Sequence, residues 1–188
     1  VAALAACQAI EAGYQVAFMA PTELLAEQHY NKLVEWLGPL GIKIAWLSGS
    51  QKKSERQAHL SAAASDAHLV VGTHALFEDT VDFSKLGLVI IDEQHRFGVA
   101  QRLALRQKGN NPHQLMMSAT PIPRTLAMSY FADLDCSVID ELPPGRTPIR
   151  TRLNADTRRD DVIAAIRSAI AAGEQCYWVC PLIEESDT

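Results

Sequence analysis

Two adjacent carboxylates, Asp92 and Glu93, end the apolar run Leu88-Val89-Ile90-Ile91. One carboxylate of such a pair can hold a divalent cation while the other orients and polarises a water. Phosphoryl transfer asks a protein for that positioning and charge neutralisation. Taken alone the pair is a weak signal, because acidic residues after an apolar run also serve simply to start a turn. Three further clusters mix small, hydroxylated and polar residues: Pro21-Thr22-Glu23, Gly72-Thr73-His74 and Ser118-Ala119-Thr120. The cysteines Cys7, Cys136, Cys176 and Cys180 form no Cys-x-x-Cys, and the six histidines are scattered, so no metal-ligand spacing is present. On a strand, Cys176 and Cys180 would share a face but stand ~13 Å apart, too far for one metal or a disulfide. Free thiols in a reducing compartment are expected.

Each acidic or hydroxylated cluster follows a short β-type run. Gln15 to Ala20, Ile42 to Leu47, His68 to Val71, Leu88 to Ile91 and Gln114 to Met117 read as strands. Leu88 to Ile91 lacks alternation, which predicts a strand buried on both faces. Ser137 to Ile139 is a last strand-like piece. Helices are expected at Val1 to Ala12, ended by Gly13, and from Thr22 to Gly38, with Thr22 as N-cap and Leu25, Leu33, Trp36 and Leu37 on the buried side. Ser54-Glu55-Arg56-Gln57 fits a capping box, predicting a helix from Ser54 to about Ala64. Val99 to Lys108 and Arg124 to Tyr130 complete the set, the latter with Pro123 in its first turn. Alternating strands and helices predict an α/β, mostly parallel, doubly wound sheet. Its β-to-α junctions would gather all four clusters on one rim, where such sheets bind ligands.

Asp140 to Pro148, with three prolines and a glycine, reads as a linker. Beyond it come a β-like stretch, Ile149 to Leu153, an amphipathic helix, Asp156 to Ala172, and another strand, Gln175 to Val179. One βαβ unit cannot bury its own faces, so residues 149–188 are expected to open a second domain. The 188 residues are 48% hydrophobic and 21% charged, an ordinary soluble composition. No run approaches membrane-span length, and Val1 to Ile10, without a basic flank or a cleavage pattern, does not read as a signal peptide. The net charge of −5 gives no global attraction to nucleic acid, so any such contact must be local and partly through backbone N–H groups. The opening residues lie inside a helical pattern without an initiator Met, so a cut from a longer protein is expected.

An apolar strand followed by Asp-Glu is the Walker B pattern of nucleoside triphosphatases. Together with Ser118-Ala119-Thr120 the sequence resembles the superfamily two helicases. Asp92-Glu93-Gln94-His95 is similar to their DExH motif II and Ser118-Ala119-Thr120 to motif III. Ala20-Pro21-Thr22-Glu23-Leu24-Leu25-Ala26-Glu27-Gln28 resembles motif Ia, and Gly72-Thr73-His74-Ala75-Leu76 resembles motif Ib. The continuations Arg96-Phe97-Gly98-Val99 and Pro121-Ile122-Pro123-Arg124-Thr125-Leu126 are similar to bacterial branch-migrating, fork-remodelling DNA helicases. Gln94 favours these over the motor of the transcription-repair coupling factor, which typically carries Glu there.

The resemblance implies a RecA-like first motor domain over residues 1–139, lacking its P-loop, a linker at 140–148, and the start of a second RecA-like domain. It implies ATP and Mg²⁺ as cofactors, with Asp92 as the metal residue and Asp92 and Glu93 as the catalytic pair. Gln94, His95, Ser118, Ala119 and Thr120 would couple the nucleotide to DNA. Pro21, Thr22, Glu23, Gly72, Thr73 and His74 would contact DNA, with Arg124 either doing so or capping the local fold. The partner is expected to be forked or branched DNA with duplex arms. The parent is expected to be a monomer in a bacterial cytoplasm, with no membrane association. No Gly-x-x-x-x-Gly-Lys-Ser/Thr occurs. The fragment alone is therefore expected to be inactive, and Gln114 to Ser118 to form an open sheet edge through which it could self-associate. The alternatives are the transcription-repair motor and a catalytically dead DNA- or protein-binding module.

Overall fold

A computed structural model of the chain describes residues 1–49, 51–97, 108–120 and 135–179. The chain divides into two units, Val1–Asp133 and Leu134–Thr188. The first contains α1 (Ala2–Glu11), β1 (Gln15–Met19), α2 (Glu23–Leu37), β2 (Ile44–Leu47), α3 (Lys53–Ser65), β3 (Leu69–Gly72), β4 (Leu86–Ile91) and β5 (His113–Met116). The strands form one parallel sheet in the order β2-β3-β1-β4-β5. The α/β, RecA-like architecture read from the sequence is the one observed.

Strand alternation sorts the core into two layers. Val16 and Phe18 of β1, Leu69 and Val71 of β3, and Leu88 and Ile90 of β4 pack with Ala6 of α1 and Leu33 and Leu37 of α2. Ala17, Met19, Val70, Val89 and Ile91 face the other way, against Ala63 of α3, Leu76, Val81 and Phe97. Both faces of the central strands are thus covered, which explains their unbroken apolar runs. Each buried Val, Leu, Ile, Phe or Met contributes roughly 1.5–3 kcal/mol, so β1, β3 and β4 anchor the unit. No β5 residue is fully buried, and β5 ends the strand order, the position expected for Gln114 to Ser118.

The buried Gln15 side chain ties the end of α3 to the loop before β4. Its Nε2 donates to Ala63 O and Ala67 O, both at 2.8 Å, and its Oε1 accepts from Ser84 Oγ and Lys85 N, both at 3.0 Å. Every hydrogen-bonding position of the amide is used, so its burial costs little.

Several sequence expectations need correction. Trp36 is 55% exposed rather than on the buried side of α2, which buries Ala26, Leu33 and Leu37 instead. Ser54 does not cap α3. The helix starts one residue earlier with Lys52 at the N-cap position and no side-chain cap, so Ser54 lies within the first turn. In the second unit, Ser137 to Ile139, Ile149 to Leu153 and Gln175 to Val179 form no strands; these stretches are almost entirely exposed. A parallel strand exists only with paired neighbours and helices over both faces, and the described residues of this unit supply neither. What forms there is the turn Asp156–Arg158 and α4 (Arg159–Ala171), with Arg159 placed 5.8 Å over the Trp178 ring. The expected helix at Arg124 to Tyr130 lies outside the described residues, as does the one at Val99 to Lys108 except for Lys108. Among the described residues no helix is long and apolar enough to cross a membrane.

Candidate nucleotide and nucleic-acid site

The sheet order places a crevice at the C-terminal ends of β1 and β4. From β1 the chain leaves through α2 toward β2 on one side, and from β4 it leaves toward β5 on the other. Such a switch point is where open α/β sheets leave room for a ligand. Asp92 and Glu93 follow β4 at this point. Asp92 N donates to Met19 O at 2.9 Å, extending the β1–β4 ladder by one step.

Alternation along β4 puts Asp92 on the same face as Leu88 and Ile90, the face covered by α2. There its Oδ2 lies 2.7 Å from Nε2 of His29, while its Oδ1 accepts from Glu93 N at 3.0 Å. The His29 hydrogen bond is the main reason the Asp92 carboxyl is held below its ordinary carboxylate range; partial burial opposes it and loses. His29 was not singled out in the sequence. The signal was there: Ala26, His29 and Leu33 share one stripe of α2, so His29 is a polar residue on a face that must pack on the sheet. Its ring lies against Phe18, with centroids 4.7 Å apart.

Glu93 takes φ 50° and ψ 50°, left-handed backbone that a residue with a Cβ adopts at a cost of order 1–3 kcal/mol. This turn sends Gln94 N back to Met117 O at 3.1 Å and starts the short 3₁₀ turn Gln94–Arg96. Met117 N in turn donates to Ile91 O at 2.8 Å, so the ends of β4 and β5 are stitched together. His95 is thereby brought beside Ser118 and Thr120. Its Nδ1 lies 3.5 Å from Ser118 Oγ, 3.4 Å from Thr120 Oγ1 and 3.3 Å from Glu93 Oε2. Ser118 Oγ and Thr120 Oγ1 are 2.8 Å apart, and Thr120 N donates to Ser118 Oγ at 3.2 Å. The Glu93–His95 distance allows attraction, but the angles are not those of a hydrogen bond. Glu93 Oε2 and Gln94 Oε1 are therefore buried acceptors without a hydrogen-bond partner. Such atoms are where a water or ligand proton belongs.

The β1 and β3 junctions lie on the same rim. Thr22 caps α2, its Oγ1 accepting from Leu25 N at 3.3 Å, and Thr22 and Glu23 are exposed. A Cβ on Gly49, after β2, would lie 3.9 Å from both Glu23 Oε1 and His74 Nε2, so the loops after β2 and β3 and the start of α2 converge. Pro21, His74, Arg96 and Phe97 line an open cavity of about 500 Å³. His74 is exposed, but Thr73 is fully buried, with its Oγ1 lacking a partner. Gly72 is required by packing, since a Cβ there would collide with the Leu47 carbonyl oxygen. Ala119 is exposed beside Ser118; Arg124 lies outside the described residues.

Fold and site together define a parallel α/β unit with an acidic pair at its switch point, the arrangement of a nucleotide-binding fold. The chain belongs to the DEAD/DEAH box helicase family, matching it over residues 1–129. Across its whole length it is 61% identical to the ATP-dependent DNA helicase RecG of Escherichia coli (strain K12) and 58% identical to that of Haemophilus influenzae. The chain spans 28% of the length of these relatives. A solved structure of RecG bound to a three-way DNA junction superimposes with a TM-score of 0.79 at 44% identity, covering 97% of this chain and 24% of that one. A hypothetical ATP-dependent RNA helicase from Sulfolobus tokodaii, at 19% identity, covers 71% of this chain and 43% of its own with a TM-score of 0.55, a likeness of fold alone.

Proposed function

We propose that the chain is part of a RecG-like, ATP-dependent DNA helicase that remodels branched DNA such as stalled forks and Holliday junctions. The observation that carries this is the joined β4–β5 end, where one His95 nitrogen stands within 3.5 Å of Glu93, Ser118 and Thr120. A change at the acidic pair is thus felt at once by the serine and threonine. On this reading residues 1–139 belong to the first motor domain, 140–148 to a linker and 149–188 to the start of a second RecA-like domain. The protein works as a monomer in a bacterial cytoplasm.

The acidic pair suits Mg²⁺, which keeps several waters and is commonly held by one or two carboxylates plus phosphates rather than by a protein cage. Asp92 would hold it through water, because both its oxygens already have protein partners. A bound ion would supply charge neutralisation at a phosphoryl group held there. Glu93 orients the attacking water through its unsatisfied Oε2 and accepts its proton. His95, Ser118 and Thr120 register that change, and Gln94, pinned by its backbone to Met117, keeps β4 and β5 in step. Ala119 leaves the β5 end uncrowded.

DNA is placed along Pro21, Thr22, Glu23, Gly72, Thr73 and His74, with Arg124 as a further contact. The N-terminus of α2 offers backbone N–H groups to a phosphate. Gly72 and Thr73 contribute through the backbone path they set, and His74 supplies the exposed side chain. The test is remodelling of a synthetic fork by the full-length protein. ATP should drive it and a non-hydrolysable analogue should not. Equal conversion with both nucleotides, or none with either, sinks the proposal.

A further inference from the structure

The acidic pair has two histidine neighbours, and they face different ways. His95 looks toward Ser118 and Thr120, whereas His29 approaches Asp92 from α2. The His29 Nε2 to Asp92 Oδ2 distance of 2.7 Å is short for a nitrogen–oxygen hydrogen bond, as expected for a charge-assisted one. The His29 and Asp92 side chains are only 32% and 21% exposed, so water competes weakly for the contact. The ring cannot drift, being held against Phe18 on one side and carried by a helix whose Ala26, Leu33 and Leu37 are buried on the other. Asp92 is therefore gripped twice, by the His29 ring at Oδ2 and by the Glu93 N–H at Oδ1. Between them these fix its carboxylate plane.

We infer that His29 is a positioning residue that sets the orientation of the Asp92 carboxylate toward the metal–nucleotide complex. The inference rests on the proposed role of Asp92 and extends it to a residue on a different element. An ionised carboxylate can only accept, so Nε2 of His29 must carry the proton. The lone pairs of Asp92 not used by His29 and Glu93 are then the ones left to order water around a cation. Without the His29 donor the carboxylate can rotate about its last torsion, and the ion would be held less tightly. Partners that orient a metal-ligating side chain typically change metal affinity about ten- to a hundredfold when removed, and the lower end of that range applies to Asp92, which holds the ion through water.

The experiment uses the full-length protein with His29→Phe, which keeps a ring against Phe18 but removes the donor, and His29→Asn, which keeps a shorter donor. Melting temperatures report folding. Binding of Mn²⁺ in the presence of ATP, followed by electron paramagnetic resonance, reports the site independently of turnover. ATP hydrolysis against Mg²⁺ concentration gives half-saturation and kcat separately. For His29→Phe we expect an unchanged fold, Mn²⁺ affinity about tenfold weaker or more, and Mg²⁺ half-saturation raised by a similar factor. His29→Asn should fall between it and the parent. Unchanged Mn²⁺ affinity and Mg²⁺ half-saturation in His29→Phe overturn the inference. So does a loss of activity at every Mg²⁺ concentration accompanied by a lowered melting temperature, which would mark His29 as merely structural. Asp92→Asn run in parallel separates the two levels. If it leaves the Mg²⁺ dependence intact, the role of Asp92 is wrong and His29 falls with it. If it abolishes that dependence while His29→Phe does not, only His29 is wrong.

Discussion

The β4–β5 end and the β1–β3 end share one rim but are built on opposite plans. Asp92, Glu93, His95, Ser118 and Thr120 are linked by contacts of 2.8–3.5 Å through the Glu93 N–H and the His95 ring, and His29 grips Asp92 at 2.7 Å. Thr22, Glu23 and His74 stand exposed around converging loops, beside an open cavity. A tightly linked cluster transmits small displacements, because each member has one place to be. An open rim with N–H groups at a helix end accepts an extended, charged ligand without a preformed pocket. On the proposed function, chemistry belongs at the linked end and DNA at the open end, and substitutions at the two ends should fail differently.

The largest effect is expected at the linked end. Glu93→Gln keeps the shape but removes the proton acceptor, and hydrolysis should slow by about 10²–10⁴-fold. Fork binding should persist, since the exposed junctions are untouched. Steady-state ATPase and fork binding by anisotropy check both halves; a variant that loses fork binding in step with hydrolysis would erase the distinction between the ends.

Gly72 tests whether the open end is as loose as it looks. Its neighbour across the sheet is the Leu47 carbonyl, and a Cβ would collide with it. Gly72→Ala should cost about 1–3 kcal/mol by overpacking. Chemical denaturation measures this. Stability unchanged, with fork affinity reduced, would instead mean that Gly72 serves the ligand and not the β2–β3 contact.

Strong acid should loosen the linked end. Asp92 is held below its ordinary pKa chiefly by the His29 hydrogen bond, so its carboxylate is favoured in the folded state. A depressed pKa contributes stability that is full above the unfolded value, about 3.9 for Asp, and is lost as pH falls toward the folded value. Denaturation midpoints of the parent should therefore drop more steeply than those of Asp92→Asn as pH falls below about 4. Parallel curves would show that the pair is not formed in solution.

How much of this contrast could be read from residues alone depends on what made each feature local. The acidic pair, Ser118-Ala119-Thr120 and the Thr22 cap are set by neighbours in sequence, and their elements are visible as apolar runs or a hydroxyl before a helix. The central strands were legible because burial on both faces leaves no polar residue in them apart from Gln15 at the start of β1. His29 was missed because its partner is 63 positions away, and only strand order and alternation bring them together. Ser54 failed as a cap because a capping pattern cannot choose between adjacent helix starts. The strands expected at Ile149 to Leu153 and Gln175 to Val179 have the right composition, but β-structure needs neighbours that composition does not supply. α4 illustrates the same dependence: Val162, Ile163 and Ile166 lie at helical spacing, yet no residue of α4 is fully buried.

The smallest effect belongs to the open end, and it sharpens the contrast most cleanly. His74 is exposed and hydrogen-bonded to no described residue, so His74→Ala should leave stability within about 0.5 kcal/mol. Its imidazole sits with Pro21, Arg96 and Phe97 around the cavity, where a phosphate could meet one ring N–H and the Arg96 guanidinium. Removing one solvent-exposed hydrogen bond to a phosphate, worth roughly 0.5–1.5 kcal/mol where water competes, should weaken fork binding by only about two- to tenfold. ATPase at saturating DNA should stay near the parent value, because nothing in the Glu93–His95–Ser118 cluster has moved. The affinity series, repeated across salt concentrations, distinguishes a phosphate interaction from a fold defect. Weaker binding of the phosphate backbone lowers affinity evenly for different DNA sequences, whereas a collapse of hydrolysis at saturating DNA would mean that the two ends are one site.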